Sequence, residues 1–402
     1  MRGYPWEVSD GRTSQPRPVL LWGTGRQGEF ALEQFGQTTD FAGVIHNLPT
    51  PVGASWKGLP RLTPRDALVE GPPRPFVIVA TMFLEAVVPE LERHGYVHAR
   101  DWCTVEEAMA AACPPVMAGQ LAAWRTRVAA GRPLTFRDLA GFDDEFWLWL
   151  NLRGADDPLS GGLVAPLPEP DVQRNLTGTA GGTSLTHGFN QFRLMRGLAQ
   201  RAGLDLSRAR QIVDFGCGYG RIVRFFTKEA PAARVLGLDI SESLIAWCRS
   251  QLRFGDWQIV PSLPPTSLPA GETSLVIAFS VFTHLSEESQ AAWLAEIHRW
   301  LEPGGVAVVT LWTHPSRSRQ YHEPHFPDYA SLTADVDAGR FCYSNLQYGA
   351  ASTYGEAFVP RAHVDRIWTQ WFEVVEWLAD HPHSPSQTHV ALRKRAPADT
   401  NR

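Results

Sequence analysis

Short apolar runs, each followed by a glycine-rich turn and then by helical periodicity, recur in two separate series along the chain. The first series opens with PVLLW at Pro18, passes through GTGRQG into EFALEQF, and continues with FAGVIH (41–46) and FVIVATMF (76–83). The helical EAVVPELERHG and a short DWCTVEEA close it near Pro114 and Pro115. Strands alternating with helices predict a small parallel α/β unit. The second series begins with a helix, FNQFRLMRGLAQRAG, and the strand QIVDFG. The strand ARVLGLDI, the helix SESLIAWCRSQL and the buried strand SLVIAFSVF follow. In the next helix, SEESQAAWLAEIHRWL, Trp293, Leu294, Ile297, Trp300 and Leu301 fall on one stripe, with acids in the first turn. LEPGG breaks the chain before the strand VAVVTLW. The last two runs, FEVVEWLAD and THVALRKR, flank HPHSPSQ and are expected to pair as antiparallel edge strands.

Between the two series the pattern changes. VMAGQLAAWRTRVAAG reads as one helix, FDDEFWLWLNLRG as an apolar helical or extended piece, and PLSGGLVAPLPEP as a Pro/Gly-rich linker. The predicted organisation is a small Rossmann-like α/β domain over 1–115, a helical and linker segment over 116–173, and a larger α/β domain over 174–402. A length of 402 residues fits two or three domains.

Composition narrows the functional classes. A net charge of −5 and a pI near 6.2 give no broad basic footprint for nucleic acid or an anionic membrane. The local arginines Arg193, Arg196, Arg201, Arg208 and Arg210 have acids nearby and read as a solvated helical face. Five scattered cysteines without a C-x-x-C pair point to reduced thiols. The N-terminus lacks the apolar core of a signal peptide, and no run reaches the ~20 apolar residues of a membrane helix. A cytoplasmic protein is expected.

The chemistry sits in VDFGCGYGR. Asp214, Gly216, Gly218 and Gly220 form D-x-G-x-G-x-G at the end of a strand, where glycines permit a sharp turn and close backbone approach to a ligand. Asp239 closes the next strand, 19 residues after Gly220, where a carboxylate can accept both hydroxyl protons of an adenosine ribose. With SVFTHL and LEPGG in order behind them, these segments resemble the class I S-adenosylmethionine-dependent methyltransferases over about 174–395.

The resemblance implies a seven-stranded sheet with a reversed last strand and S-adenosylmethionine as cofactor. It gives Asp214 and the backbone of Gly216, Cys217 and Gly218 the methionine part, Asp239 the ribose, and Ile240 a place flanking the adenine. Ser280 lines the methyl and acceptor pocket, and Arg174–Gln191 folds over the cofactor as a lid. Cys217 reads as a small residue beside the cofactor rather than a reactive thiol. His284, in SVFTHL, is the titratable group placed for a general base on a hydroxyl acceptor, with a loop-capping role as its structural counterpart. The expected reaction is methyl transfer, with O-methylation favoured, to a small polar molecule such as a sugar derivative or secondary metabolite. Intramolecular displacement releasing methylthioadenosine, and a binding protein with a vestigial site, are the alternatives.

Two further motifs lead nowhere as firm. His322, Glu323 and His325 fit no standard metal spacing, and Pro324 breaks a helix there, so no metal is expected. In GTGRQG the glycines Gly23, Gly25 and Gly28 fit G-x-G-x-x-G, yet His46 and Asn47 stand where a dinucleotide site needs a carboxylate. That stretch, about 18–105, resembles small Rossmann-like domains attached to sugar-modifying acyl- and methyltransferases. A nucleotide-sugar site, or a docking module for a homodimer, is what it implies.

Overall fold

A computed structural model describes residues 4, 6, 17–48, 51, 53–69, 74–81, 84–318, 323, 326, 328–345 and 354–395. His322 and His325 lie outside them. Among the described residues no helix is long and apolar enough to cross a membrane. The chain divides into two compact units, Met1–Val164 with Thr179–Thr186, and Ala165–Gly178 with His187–Arg402.

The first unit is built on β1 (Val19–Trp22), β2 (Phe41–Ile45), β3 (Ser55–Trp56), β4 (Leu59–Leu62), β5 (Phe76–Val79) and β6 (Trp102–Thr104), in the order β3-β4-β2-β1-β5-β6. All neighbours are parallel except the short β3–β4 pair. VLLW and FVIV are buried along their whole length, as parallel strands covered on both faces must be. Residues 116–164 group with this unit. The indole of Trp149 donates to the Met109 carbonyl and Arg153 donates to the Ala110 carbonyl, both at 2.9 Å. FDDEFWLWLNLRG is a helix, Asp144–Arg153, in which Phe146–Asn151 are all buried; a helix apolar all round needs a core on every side. The Trp124 indole donates to the Leu159 carbonyl at 2.7 Å, so the Pro/Gly-rich stretch is held in place from its start.

The second unit carries β7 (Gln211–Phe215), β8 (Arg234–Asp239), β9 (Asp256–Ile259), β10 (Thr273–Ala278), β11 (Leu301–Leu311), a small hairpin of β12 (Cys342–Ser344) and β13 (Glu356–Phe358), then β14 (Phe372–Leu378) and β15 (Thr388–Lys394). The main sheet runs β14-β15-β11-β10-β7-β8-β9, with β15 antiparallel to both neighbours. The reversed last strand is therefore present. Only β14 lies at the edge; THVALRKR is interior, which corrects the expectation of two edge strands. Its continuous burial from Thr388 to Leu392 gives the physical reason.

Three other differences have local causes. The helix expected from Phe189 begins eight residues earlier, at Gly181, where glycines and β-branched residues hide the helical signal. SLVIAFSVF leaves the sheet after Ala278, because Ser280 takes a left-handed φ of +58°. LEPGG is not a break outside the strand: Leu301 already pairs with Thr273, and residues 302–305 form an irregularity before Val306 meets Leu275. The helix Glu287–Trp300 is capped by Ser286, and its Trp293, Leu294, Ile297 and Trp300 are buried against the sheet as the stripe requires.

Candidate active site

Two features close the loop after β7. The backbone N–H groups of Gly216 and Cys217 both donate to the Leu238 carbonyl, at 2.8 and 3.0 Å, which ties the loop to the end of β8. Gly216 has φ +78°, and a Cβ there would stand 2.3 Å from Val281 Cγ2. Gly218, at φ +53°, would meet Leu176 Cδ2 at 2.7 Å. A side chain at either position strains the turn, and at Gly216 it also runs into Val281. Gly220 sits where the loop turns into its helix and donates to the Cys217 carbonyl at 2.8 Å.

Asp239 does more than close β8. Its Oδ2 accepts from the Gly218 N–H and its Oδ1 from the Ser241 N–H, each at 2.9 Å. The carboxylate thus pins the glycine loop to the start of the next helix while each oxygen keeps a further lone pair. Ile240, beside it, is 58% exposed, an apolar side chain left open at a sheet's carboxyl end. Asp214 is buried, and burial with the nearby Asp239 charge pushes its carboxyl up to about 7, against the opposing pull of Arg221. Cys217 is also buried; its thiol is pushed up by desolvation beside Cys248, so it is no nucleophile.

These residues fit S-adenosylmethionine. A buried carboxylic acid facing a second carboxylate offers a cation a favourable seat. Asp239 has lone pairs for ribose hydroxyls, and Ile240 and the half-exposed Leu176 offer apolar surface to a base. The cofactor supplies an electrophilic methyl group on a sulfonium, so the chain's own task is mainly to bind and align.

Ser280 and His284 lie beyond β10. Ser280 N donates to Thr310 Oγ1 at 2.7 Å, and its Oγ receives Gln387 Nε2 at 3.0 Å. His284 is held from three sides. Its Nδ1 donates to the Gly355 carbonyl at 2.9 Å, its ring stacks on Tyr354 at 4.4 Å, and Trp312 meets it edge-on at 5.2 Å. The Glu356 carboxylate, 3.8 Å away, is beyond hydrogen-bond reach. Burial lowers the imidazole to about 4, against the raising effect of the Gly355 carbonyl. Because the folded-state value is depressed, its contribution to stability is present above the ordinary histidine value and lost as pH falls toward about 4. His284→Ala is expected to lower Tm by several degrees, by removing a buried ring and its hydrogen bond. Turnover between about pH 6 and 8 should keep its shape in this variant. A turnover profile that loses an inflection near neutrality in His284→Ala would return the residue to a general-base role.

A polar cluster that no motif announced lies beside Ser280. Arg221, the last residue of VDFGCGYGR, donates to His187 Nδ1 at 3.0 Å and lies over the Phe279 ring at 5.4 Å. Gln191 bonds His389 Nε2 through its Oε1 at 2.8 Å and gives its Nε2 to the His383 carbonyl at 2.9 Å. Gln191 and His389 are separated by 198 positions, so no local pattern links them.

In the first unit, the loop GTGRQG leads from β1 into the helix Arg26–Phe35. Asn47, at the end of β2, accepts from the Trp22 indole at 2.9 Å, so its amide oxygen already serves the fold. With no ribose-binding carboxylate at this point, NAD is expected to show no stoichiometric binding to the protein in calorimetry at about 100 μM, well above ordinary dinucleotide affinities. Tight binding would restore a dinucleotide site to this unit.

The glycine loop after β7, the carboxylate closing β8 and the seven-stranded sheet with its reversed last strand define a class I S-adenosylmethionine-dependent methyltransferase domain in the C-terminal half of the chain. Residues 212–305 match the family model described as a methyltransferase domain. The chain is 29% identical over 197 residues to a trans-aconitate 2-methyltransferase of Azoarcus sp. (strain BH72), a match covering 46% of this chain and 72% of that one. It is 31% identical over 106 residues to a probable S-adenosylmethionine-dependent methyltransferase of Mycolicibacterium smegmatis, covering 25% and 37%. A solved S-adenosylmethionine-dependent methyltransferase from Mesorhizobium loti is 18% identical, with a TM-score of 0.38 over 49% of this chain and 96% of its own. The protein is an S-adenosylmethionine-dependent methyltransferase.

Proposed function

We propose that the protein transfers the methyl group of S-adenosylmethionine to an oxygen atom of a small polar acceptor. In this reading Asp214 and the backbone of Gly216, Cys217 and Gly218 hold the methionine part of the cofactor, Asp239 its ribose, and Ile240 flanks the adenine. Ser280 borders the acceptor. The observation that carries the reading is the pairing of two unlike surroundings on one sheet: carboxylates and an open apolar side chain at the ends of β7 and β8, and a hydrogen-bonded polar group of Ser280, Thr283, Gln387 and His389 beside β10 and β15. Cofactor and acceptor need such different walls, placed side by side. A trans-aconitate methyltransferase, by its name, acts on a small polar molecule, which supports a metabolite over a macromolecular acceptor.

The discriminating experiment is co-product analysis after incubation with the cofactor and a small-molecule extract. S-adenosylhomocysteine formed in step with a methylated product is expected. Methylthioadenosine without S-adenosylhomocysteine would replace methyl transfer by intramolecular displacement.

A further inference from the structure

β8 carries a bare position in its interior. Gly237 lies between Leu236 and Leu238 in a buried parallel strand, where large apolar residues are the rule and a glycine weakens the strand. Unlike Gly216, Gly218 and Gly220, it has no left-handed φ, so backbone conformation does not require glycine here. A neighbour requires it instead. A Cβ at Gly237 would stand 2.2 Å from Cε3 and 2.3 Å from Cζ3 of Trp257, and 3.0 Å from the Cys217 sulfur.

The same indole meets the glycine loop. A Cβ at Gly220 would stand 2.8 Å from Cη2 and 3.4 Å from Cζ3 of Trp257. Asp214, Gly237 and Trp257 are register partners across β7, β8 and β9, so their side positions fall in one row on one face of the sheet. The ring therefore leaves β9, crosses the bare Gly237 and ends against Gly220. It is fixed in that pose. Its Nε1 donates to the Phe254 carbonyl at 3.2 Å, Phe254 meets it edge-on at 5.7 Å, and the residue is buried.

The first part of the loop is tied by polar contacts. The N–H groups of Gly216 and Cys217 reach the Leu238 carbonyl, the Gly218 N–H reaches Asp239, and the Gly218 carbonyl takes the Cys248 thiol at 3.4 Å. At Gly220 the hydrogen bonds stay within the loop and its following helix, to Cys217 and Arg224. On the side that a Cβ would occupy, its nearest neighbours are the Trp257 ring and Leu252. The loop thus rests on apolar packing at the point where it turns into the helix.

We infer that Trp257 is a positioning residue for S-adenosylmethionine: its indole, admitted by the bare Gly237, sets the height of the glycine loop at Gly220, and cofactor affinity depends on the volume that positions 237 and 257 fill together. The inference rests on the reading that the loop after β7 holds the cofactor. The ring acts through the loop's backbone and touches no reacting atom. A close-packed interior passes a displaced ring on to its neighbours, and a site that binds through backbone groups tolerates little displacement. Filling position 237 presses the ring into the loop, and emptying position 257 lets the loop sink. Each change alone misplaces the loop; made together they compensate.

The test is calorimetric titration of the full chain with S-adenosylhomocysteine, well below the Tm of every variant. Trp257→Leu is expected to weaken binding on the order of tenfold, and Gly237→Ala by at least as much. In the Trp257→Leu background, Gly237→Ala should leave affinity unchanged or raise it, a reversal of sign that lost stability alone does not produce. Equal losses from Gly237→Ala in both backgrounds overturn the inference. So does wild-type affinity in Trp257→Leu with only a lower Tm. Asp239→Ala tells the two readings apart. If it weakens binding and Trp257→Leu does not, the loop keeps the cofactor and the inference alone fails. If neither weakens binding, the reading of the loop fails and the inference with it. Should Gly237→Ala not fold, folding regained in the double variant is the same reversal read in stability, and misfolding in both backgrounds overturns the inference. Should Trp257→Leu not fold, Trp257→Phe replaces it, with an expected loss of about threefold and the same reversal; unchanged affinity in that variant overturns the inference.

Discussion

Asp239→Ala is expected to weaken cofactor binding by about 3 kcal/mol, on the order of 100-fold, and Asp239→Asn by nearly as much. The carboxylate accepts from two backbone N–H groups at once, one in the glycine loop and one at the start of the following helix. An asparagine side chain must turn its NH2 toward one of them, leaving a donor against a donor and that part of the crevice loosened. Either variant loses part of the loop's anchorage and, on the proposed assignment, the ribose contacts with it. Calorimetric titration with S-adenosylhomocysteine measures the loss. Near wild-type affinity in Asp239→Asn would mean that the two backbone bonds contribute little to the shape of the site.

Asp214→Asn should have effects of opposite sign on stability and on binding. In the ligand-free protein this carboxyl is raised to about 7 by burial, so ionising it costs the folded state more than the unfolded one. For an acid shifted upward, the stability contribution is full below the ordinary aspartate value and is lost as pH rises toward about 7. An isosteric amide removes that loss. At pH 8 the variant should melt higher than the wild type, by an amount reflecting up to a few kcal/mol, and at pH 4 the difference should nearly vanish. Cofactor affinity should fall at least tenfold at pH 8 if, as proposed, the Asp214 charge meets the cofactor's ammonium. A lower melting temperature at pH 8 with unchanged affinity would leave Asp214 as a loop-orienting acid alone.

The glycine loop and the carboxylate that closes β8 were legible because their parts are local. Asp214 to Gly220 is one loop, the glycines are dictated by backbone conformation, and Asp239 stands at the end of the adjacent strand. The polar cluster beside Ser280 was not, because its members come from distant segments: His187 and Gln191 on the helix Gly181–Arg201, Arg221 after β7, Ser280 after β10 and His389 on β15. Arg221 was visible in VDFGCGYGR without any sign that it would meet His187. His284 was placed by its motif but not by its surroundings. Its position after a buried strand suggested a base, but its chemistry depends on Gly355, Tyr354 and Trp312, which sequence order does not bring near it. In the fold, β9 escaped notice because four residues give too short a period to read, and THVALRKR looked like an edge because its charged end conceals a buried beginning.

The site assignment is tested most directly by a crystal structure of the full chain grown with S-adenosylhomocysteine. The account predicts one ligand per chain across the carboxyl ends of β7 and β8, with both ribose hydroxyls on the Asp239 carboxylate, the ammonium toward Asp214 and the thioether directed toward Ser280. Ligand density in the first unit, or density in the second with the ribose away from Asp239, would contradict it.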